Sequence, residues 1–310
     1  NMSRFLHLAC QDSPLRRQET LELARILLPV FQREAADQEG IAQEVTPEKL
    51  LTAWEQTAGG AAQSDKGKPG ALPDEEETDT AQDALRGAGF LDFFDPKEII
   101  RKATVFLMKD RAGTVGAHGV GPMLNNLLAD TTSRVHLIGH SFGAKVVLSA
   151  LMAVQYPRKV ASVLLLQPAI NAFCFARSIQ ENGGKPGAYR SALARTEMPI
   201  FSTFSSRDAP LTSFFHIALR RDGDLGEIRP AAGPPSKFAA LGGFGPAGML
   251  PGESRTTPML TPPDKYDLSD PNIRLYALDG SDQCITSHGD VRNKFTEWAM
   301  VNLVSGRALR

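Results

Sequence analysis

Apolar residues gather into short continuous runs in the second half of this chain and into spaced stripes in the first half. Four runs read as buried strands: Val135-His136-Leu137-Ile138, Val160-Ala161-Ser162-Val163-Leu164-Leu165-Leu166, Pro199-Ile200-Phe201-Ser202-Thr203-Phe204 and Ile273-Arg274-Leu275-Tyr276-Ala277-Leu278. Near-continuous leucine and β-branched residues suit strands covered on both faces, as in a parallel sheet. Ala144 through Val154 is apolar enough to be a helix packed on that sheet. Strand, turn, helix and strand then make a βαβ unit with parallel strands and a right-handed crossover. A last amphipathic helix carries Phe295, Trp298 and Val301.

Residues 1–134 contain no convincing β-branched run bounded by turn residues and read as helices. Ser13-Pro14 offers a cap and a first-turn proline to a helix with the stripe Leu23, Ile26, Leu27, Val30 and Phe31, with Pro29 a potential kink. A second helix is expected from Thr46-Pro47, with Leu50, Leu51 and Trp54, and a third from Asp95-Pro96-Lys97-Glu98, with Ile99, Ala103, Phe106 and Leu107. The glycines between Gly113 and Gly121 predict a helix break; no Gly-Lys-Ser/Thr follows them, which argues against a phosphate loop.

The composition divides the chain into a helical N-terminal segment at 1–56, a linker at 57–83, and a core at 84–310 with an irregular insertion at about 222–270. The linker is rich in Gly, Ala, Gln and Lys and ends in the acidic run Asp74-Glu75-Glu76-Glu77, too little apolar surface to order itself. The insertion is rich in Gly and Pro, and its apolar stretch at 238–246 reads either as a flap over a pocket or as disorder.

With 42% apolar and 22% charged residues in 310 positions, the chain has an ordinary globular composition and can hold a sizeable core. A formal net charge of −1 and a pI near 6.7 give no electrostatic footprint for nucleic acid or an anionic membrane. Cys10, Cys174 and Cys284 are odd in number and widely spaced, so neither a disulfide framework nor a zinc site is predicted. There is no apolar run of membrane-spanning length and no basic-then-apolar leader at the N-terminus. A cytoplasmic location follows as the expectation; the oligomeric state is left open.

The chemistry concentrates in Gly139-His140-Ser141-Phe142-Gly143, directly after one strand and directly before a helix. A serine in a tight strand-to-helix turn is held in strained backbone with its hydroxyl above the sheet, and small neighbours on both sides are expected to make room for it. Ser141 would then stand at the carboxyl end of the sheet, where open α/β sheets place their sites.

On these residues the chain resembles the α/β-hydrolase superfamily, in its serine esterase and lipase-like branch. The resemblance implies an α/β fold: a mostly parallel sheet with helices on both faces, although its early strands are missing here. It also implies that an acid and a histidine follow the serine, and Asp208 in Ser205-Ser206-Arg207-Asp208 and His288 in Ser287-His288-Gly289-Asp290 stand in that order. Ser141 would attack the carbonyl of a small acyl ester, His288 would shuttle the proton, Asp208 would orient His288, and the N–H of Phe142 would donate to the oxyanion. Gly139, His140 and Gly143 would build the elbow, and no cofactor or metal is implied.

Asp279, Asp282 and Asp290 lie nearer to His288 along the chain and remain rival acids; Asp290 is otherwise expected to cap the last helix. Asn171 marks the other strand end at which some hydrolases place the acid, and it is not a carboxylate. His136, His140 and His216 are read as packing residues, and His118-Gly119 is a rival oxyanion pair without a strand to hold it. The departures are a missing second oxyanion donor and four strands where the family has about eight. They give the expectation that the first strands lie upstream of Asn1, leaving Val135–Ile138 an unpaired edge prone to aggregation. A catalytically silent hydrolase-fold binding module and a pure interaction domain are the competing functions.

Overall fold

The computed structural model describes residues 2–10, 15–35, 46–48, 51, 93–94, 108–109, 111–180, 183–214 and 239–306. The sequence readings at Ser13-Pro14, at 57–83, at 95–107 and at His216 lie outside them. The chain divides into two compact units, Asn1–Ala35 with Gln43–Leu107, and Ala36–Ala42 with Met108–Arg310.

In the first unit, helices α1 (Met2–Ala9) and α2 (Arg17–Ala35) accompany a short antiparallel pair, β1 (Leu15–Arg16) with β2 (Phe93–Phe94). Helix α2 starts at Arg17, directly after the strand residue Arg16, whose N–H donates to the Glu19 carboxylate of the first turn at 3.0 Å. Pro29 lies inside α2.

The second unit is an α/β sandwich of layers around five parallel strands, β3 (His136–His140), β4 (Ser162–Leu166), β5 (Ile200–Phe204), β6 (Ser254–Pro258) and β7 (Leu275–Asp279), in the order β3-β4-β5-β7-β6. Helices α3 (Gly121–Asp130) and α4 (Phe142–Ala153) precede and follow β3, and α5 (Lys294–Ser305) closes the chain.

The alternation of side chains along each strand divides the core in two. Val163, Leu165, Ile200, Leu275 and Ala277 face one way, onto Leu124 and Leu128 of α3 and the stripe Ala144, Leu148 and Leu151 of α4. Leu164, Leu166, Phe201, Tyr276 and Leu278 face the other way, onto Ala299 and Leu303 of α5. All five residues of β4 are buried, as its unbroken apolar run predicts, and truncating one of its leucines to alanine should cost about 2–5 kcal/mol.

Three expectations give way here. The stretch from Gly113 to Gly121 is no helix break: residues 111–130 are helical throughout, with Val115–Val120 wound as a π-helix running into α3. Gly116 and Gly121 serve close approach, since a Cβ at Gly116 would stand 2.4 Å from the Val146 carbonyl oxygen of α4 and one at Gly121 2.7 Å from the Ala153 Cβ. The second correction is β6, which lies within the stretch expected to be irregular: Ser-Arg-Thr-Thr-Pro has no apolar run because an edge strand pairs on one side and stays wet. Third, α5 keeps Phe295 against the core beside Thr296, Ala299 and Leu303, but Val301 is exposed and the Trp298 indole donates to the Asp264 carbonyl at 2.6 Å.

Strand β3 pairs with β4 alone among the described residues and forms the other edge of the sheet, with Ile138 half exposed. No helix among the described residues is long and apolar enough to cross a membrane.

Candidate active site

Parallel strands align their carboxyl ends, and three of these strands deliver one polar side chain each to the same edge. Ser141 follows β3, Asp208 lies in the turn after β5, and His288 lies in the loop between β7 and α5.

Ser141 sits at φ 56° and ψ −123°, a conformation that side chains disfavour. Backbone hydrogen bonds hold it there: its N–H donates to the Leu166 carbonyl at 3.0 Å, and its own carbonyl accepts from Ala144 at 3.1 Å and Ala169 at 3.2 Å. The turn folds so tightly that a Cβ at Gly139 would lie 2.6 Å from the Gly143 carbonyl oxygen. Gly143 differs, because a Cβ there meets nothing within 4 Å. The expectation that both glycines are sterically required therefore holds for Gly139 and fails for Gly143, whose side-chain position opens into free space.

The imidazole of His288 stands between the other two groups, with Nε2 2.8 Å from the Ser141 hydroxyl oxygen and Nδ1 2.8 Å from Asp208 Oδ2. A carboxylate only accepts, so the ring proton is assigned to Nδ1 and Nε2 is left free to accept from the hydroxyl. The Asp208 side chain is fully buried, whereas that of His288 is 25% exposed, so the site is open to solvent on the histidine side.

A buried carboxylate must be satisfied by donors. Oδ1 of Asp208 accepts from the Leu211 N–H at 3.1 Å, and Oδ2 accepts from His288 and from the side-chain amide of Gln167 at 2.9 Å. The rival acids do other work. Asp279 accepts from the Ser281 N–H, and Asp290 accepts from the Thr286 N–H and hydroxyl, both at 3.0 Å. Those bonds, the Thr286 N–H foremost, hold the Asp290 carboxyl below the usual range. Asp290 does not cap α5. Asn293 does, accepting from Phe295 and Thr296 in a capping box, while Asp290 folds the loop that carries His288.

That loop is pinned from several sides. Ser205 donates its hydroxyl to the Ile285 carbonyl at 2.7 Å, and Arg207 donates to the Ser281 carbonyl at 2.7 Å. His140 reaches His288 itself: its Nε2–H donates to the His288 carbonyl at 2.9 Å, and the two rings are tilted at 39° with centroids 5.0 Å apart. His140, read from sequence as packing, is thus also a hydrogen-bonding partner of the site. His136 is structural, bonding Ser162 Oγ at 2.7 Å. His118 and Gly119 are exposed within the π-helical turn and belong to a helix, not to a loop at the sheet edge.

Phe142 opens α4, and its N–H has no acceptor among the described residues. Its side chain packs on Ala169, Leu211 and Ala240. Ala239, Ala240 and Leu241 are wholly buried, and this stretch is stitched to both neighbouring turns: Leu241 N–H to the Ile170 carbonyl at 2.8 Å, and Ser205 N–H to the Gly242 carbonyl at 3.0 Å. Residues 239–245 therefore brace the turn that carries Asp208, which a mobile flap would not do.

Sequence reasoning passed over Gln167. It follows directly on the last residue of β4, at φ 41°, and is fully buried. The only signal was its position as a polar residue closing an apolar strand. No group of His, Cys, Asp and Glu able to hold a metal ion occurs among the described residues. No protein-family model, curated protein or solved structure matches this chain.

Proposed function

We propose that this protein is a serine hydrolase of the α/β-hydrolase type, cleaving an ester or related acyl bond of a small molecule. The observation that carries the reading is the continuous line of hydrogen bonds from Ser141 Oγ through His288 to the buried Asp208, 2.8 Å at each step. The order of the three in the chain and their places after three strands of one parallel sheet agree with that type.

In this mechanism the Ser141 hydroxyl attacks the acyl carbonyl as His288 Nε2 takes its proton, and Asp208 stabilises the imidazolium through Nδ1. Negative charge gathers on the carbonyl oxygen, to which the Phe142 N–H at the start of α4, without an acceptor among the described residues, donates. The imidazolium then protonates the leaving group. Water, deprotonated by the same imidazole, attacks the acyl-serine; the acid leaves and the imidazolium returns its proton to the Ser141 oxygen.

The test is covalent labelling with a fluorophosphonate probe, compared between the protein and Ser141→Ala, followed by a panel of nitrophenyl esters of graded acyl length. Labelling lost in Ser141→Ala supports the reading. A folded protein that does not label, or labels equally without the Ser141 hydroxyl, overturns it and favours a hydrolase-like binding module.

A further inference from the structure

We propose that Gln167 is a positioning residue for the acid, its amide fixing which oxygen of Asp208 faces His288 and how strongly that oxygen pulls on the ring proton. Its catalytic consequence rests on the acyl-transfer reading above; its effect on the Asp208–His288 pair does not.

The side-chain amide of Gln167 has two N–H groups and spends both on this site, donating to Asp208 Oδ2 at 2.9 Å and to the Gly242 carbonyl at 3.1 Å. Its oxygen is held as well, accepting from the Thr203 hydroxyl at 2.9 Å, while the Gln167 N–H donates to that same hydroxyl oxygen at 2.9 Å. Thr203 belongs to β5, the strand that leads into the acid turn. The amide can therefore neither flip nor swing without breaking bonds to β5, to the acid turn and to the 239–245 brace.

The backbone carries a cost for this arrangement. Gln167 is one of three residues other than glycine at positive φ among the described residues, 41°, a conformation that persists where surrounding structure enforces it. A neutral donor also suits the site. An arginine would add a charge beside the imidazolium, and an apolar side chain would leave Asp208 Oδ2 with the histidine as its single donor.

Because Gln167 and His288 share one carboxylate oxygen, each weakens the other's bond, and the amide moderates the attraction between Asp208 and the imidazolium. The titratable side chains that touch the His288 ring are Asp208, from the turn after β5, and His140, from the end of β3. Apart from Asp208 itself and His288, no titratable side chain is hydrogen-bonded to Gln167 or Asp208 among the described residues.

The experiment follows the His288 ring by imidazole proton–nitrogen NMR across pH in the protein, in Gln167→Met and in Gln167→Glu, with kcat and KM on a nitrophenyl ester measured alongside. In Gln167→Met, the midpoint of the ring titration should move upward by about half a pH unit or more, since Oδ2 then serves the ring alone. On a substrate that is turned over, kcat should fall about tenfold or more with KM within about twofold, as misplaced acids do. In Gln167→Glu, the protonated carboxyl replaces the lost donor at low pH and repels Asp208 once it ionises. The ring should then show a second titration step that is absent from the wild type.

A folded Gln167→Met whose ring titrates with the wild type overturns the proposal. If that variant does not fold, Gln167→Glu decides: a single step coincident with the wild type overturns the proposal, and two steps support it. If the folded protein does not label with fluorophosphonate while the ring still responds to both substitutions, the hydrolase reading falls and the role of Gln167 stands.

Discussion

The Nε2 of His140 lies 2.9 Å from the carbonyl oxygen of His288, so the residue before Ser141 anchors the backbone of the residue whose ring meets the Ser141 hydroxyl. Both ring states that carry a proton on Nε2 can make this bond. His140→Phe preserves the ring contact and deletes the donor. One hydrogen bond is worth about 0.5–1.5 kcal/mol, so the rate of fluorophosphonate labelling at Ser141 should fall about two- to tenfold. A labelling rate equal to the wild type would show that the loop holds His288 without His140.

The two glycines of the elbow are not equivalent. A methyl group at Gly139 would lie 2.6 Å from the Gly143 carbonyl oxygen and 2.7 Å from the Ala144 nitrogen, backbone atoms that cannot yield without opening the turn. At Gly143 nothing lies within 4 Å, and alanine favours a helix over glycine by up to about 1 kcal/mol. Gly139→Ala should abolish labelling, while Gly143→Ala should keep it and unfold at equal or higher urea concentration. Equal damage from both substitutions in the same two assays would refute this asymmetry.

The strands that deliver Ser141, Asp208 and His288 could be read from the sequence because each lies in a mainly apolar run, and each of those residues stands in the turn or loop that follows one. Strand β6 could not, since Ser254-Arg255-Thr256-Thr257-Pro258 lies at the wet edge of the sheet and has no buried face to demand apolar residues. The glycines of 113–121 misled for a different reason: what Gly116 accommodates is the backbone of α4, thirty positions away in sequence. Gln167 owes its role to Asp208 and Gly242, 41 and 75 positions distant, and to a positive φ that the other bonds impose. Contacts of that range leave no local pattern.

Arg190 and Glu253 form a two-pronged ion pair with both side chains about one-fifth exposed: Nη1 donates to Oε2 at 2.6 Å, and Nη2 donates to Oε1. The Arg190 hydrogen bonds are the main reason the Glu253 carboxyl is held below its usual range. A lowered folded-state pKa means that the pair stabilises the fold fully above the ordinary glutamate value of about 4.3 and loses that contribution as pH falls below it. Glu253→Gln should therefore lower stability at pH 7 by about 1–3 kcal/mol and remove part of the loss seen on acidification. Urea unfolding of both proteins across the acidic range checks this. Parallel pH curves for the two would mean that Glu253 contributes no pH-dependent stability.

Ser141 holds φ 56° and ψ −123°, where a Cβ is crowded and glycine is at ease. Such a conformation costs about 1–3 kcal/mol, whereas glycine loses about 0.5–1 kcal/mol to its freer unfolded chain. The first quantity is the larger, so Ser141→Gly should be more stable than Ser141→Ala by about 1 kcal/mol. Both variants lose the hydroxyl and its bond to His288, so the difference between them isolates backbone strain from chemistry. Neither should label with fluorophosphonate. If Ser141→Ala proves as stable as Ser141→Gly in urea, the elbow carries no strain, and the hydroxyl is held in place by the hydrogen bonds of Ser141 to Leu166, Ala144 and Ala169 alone.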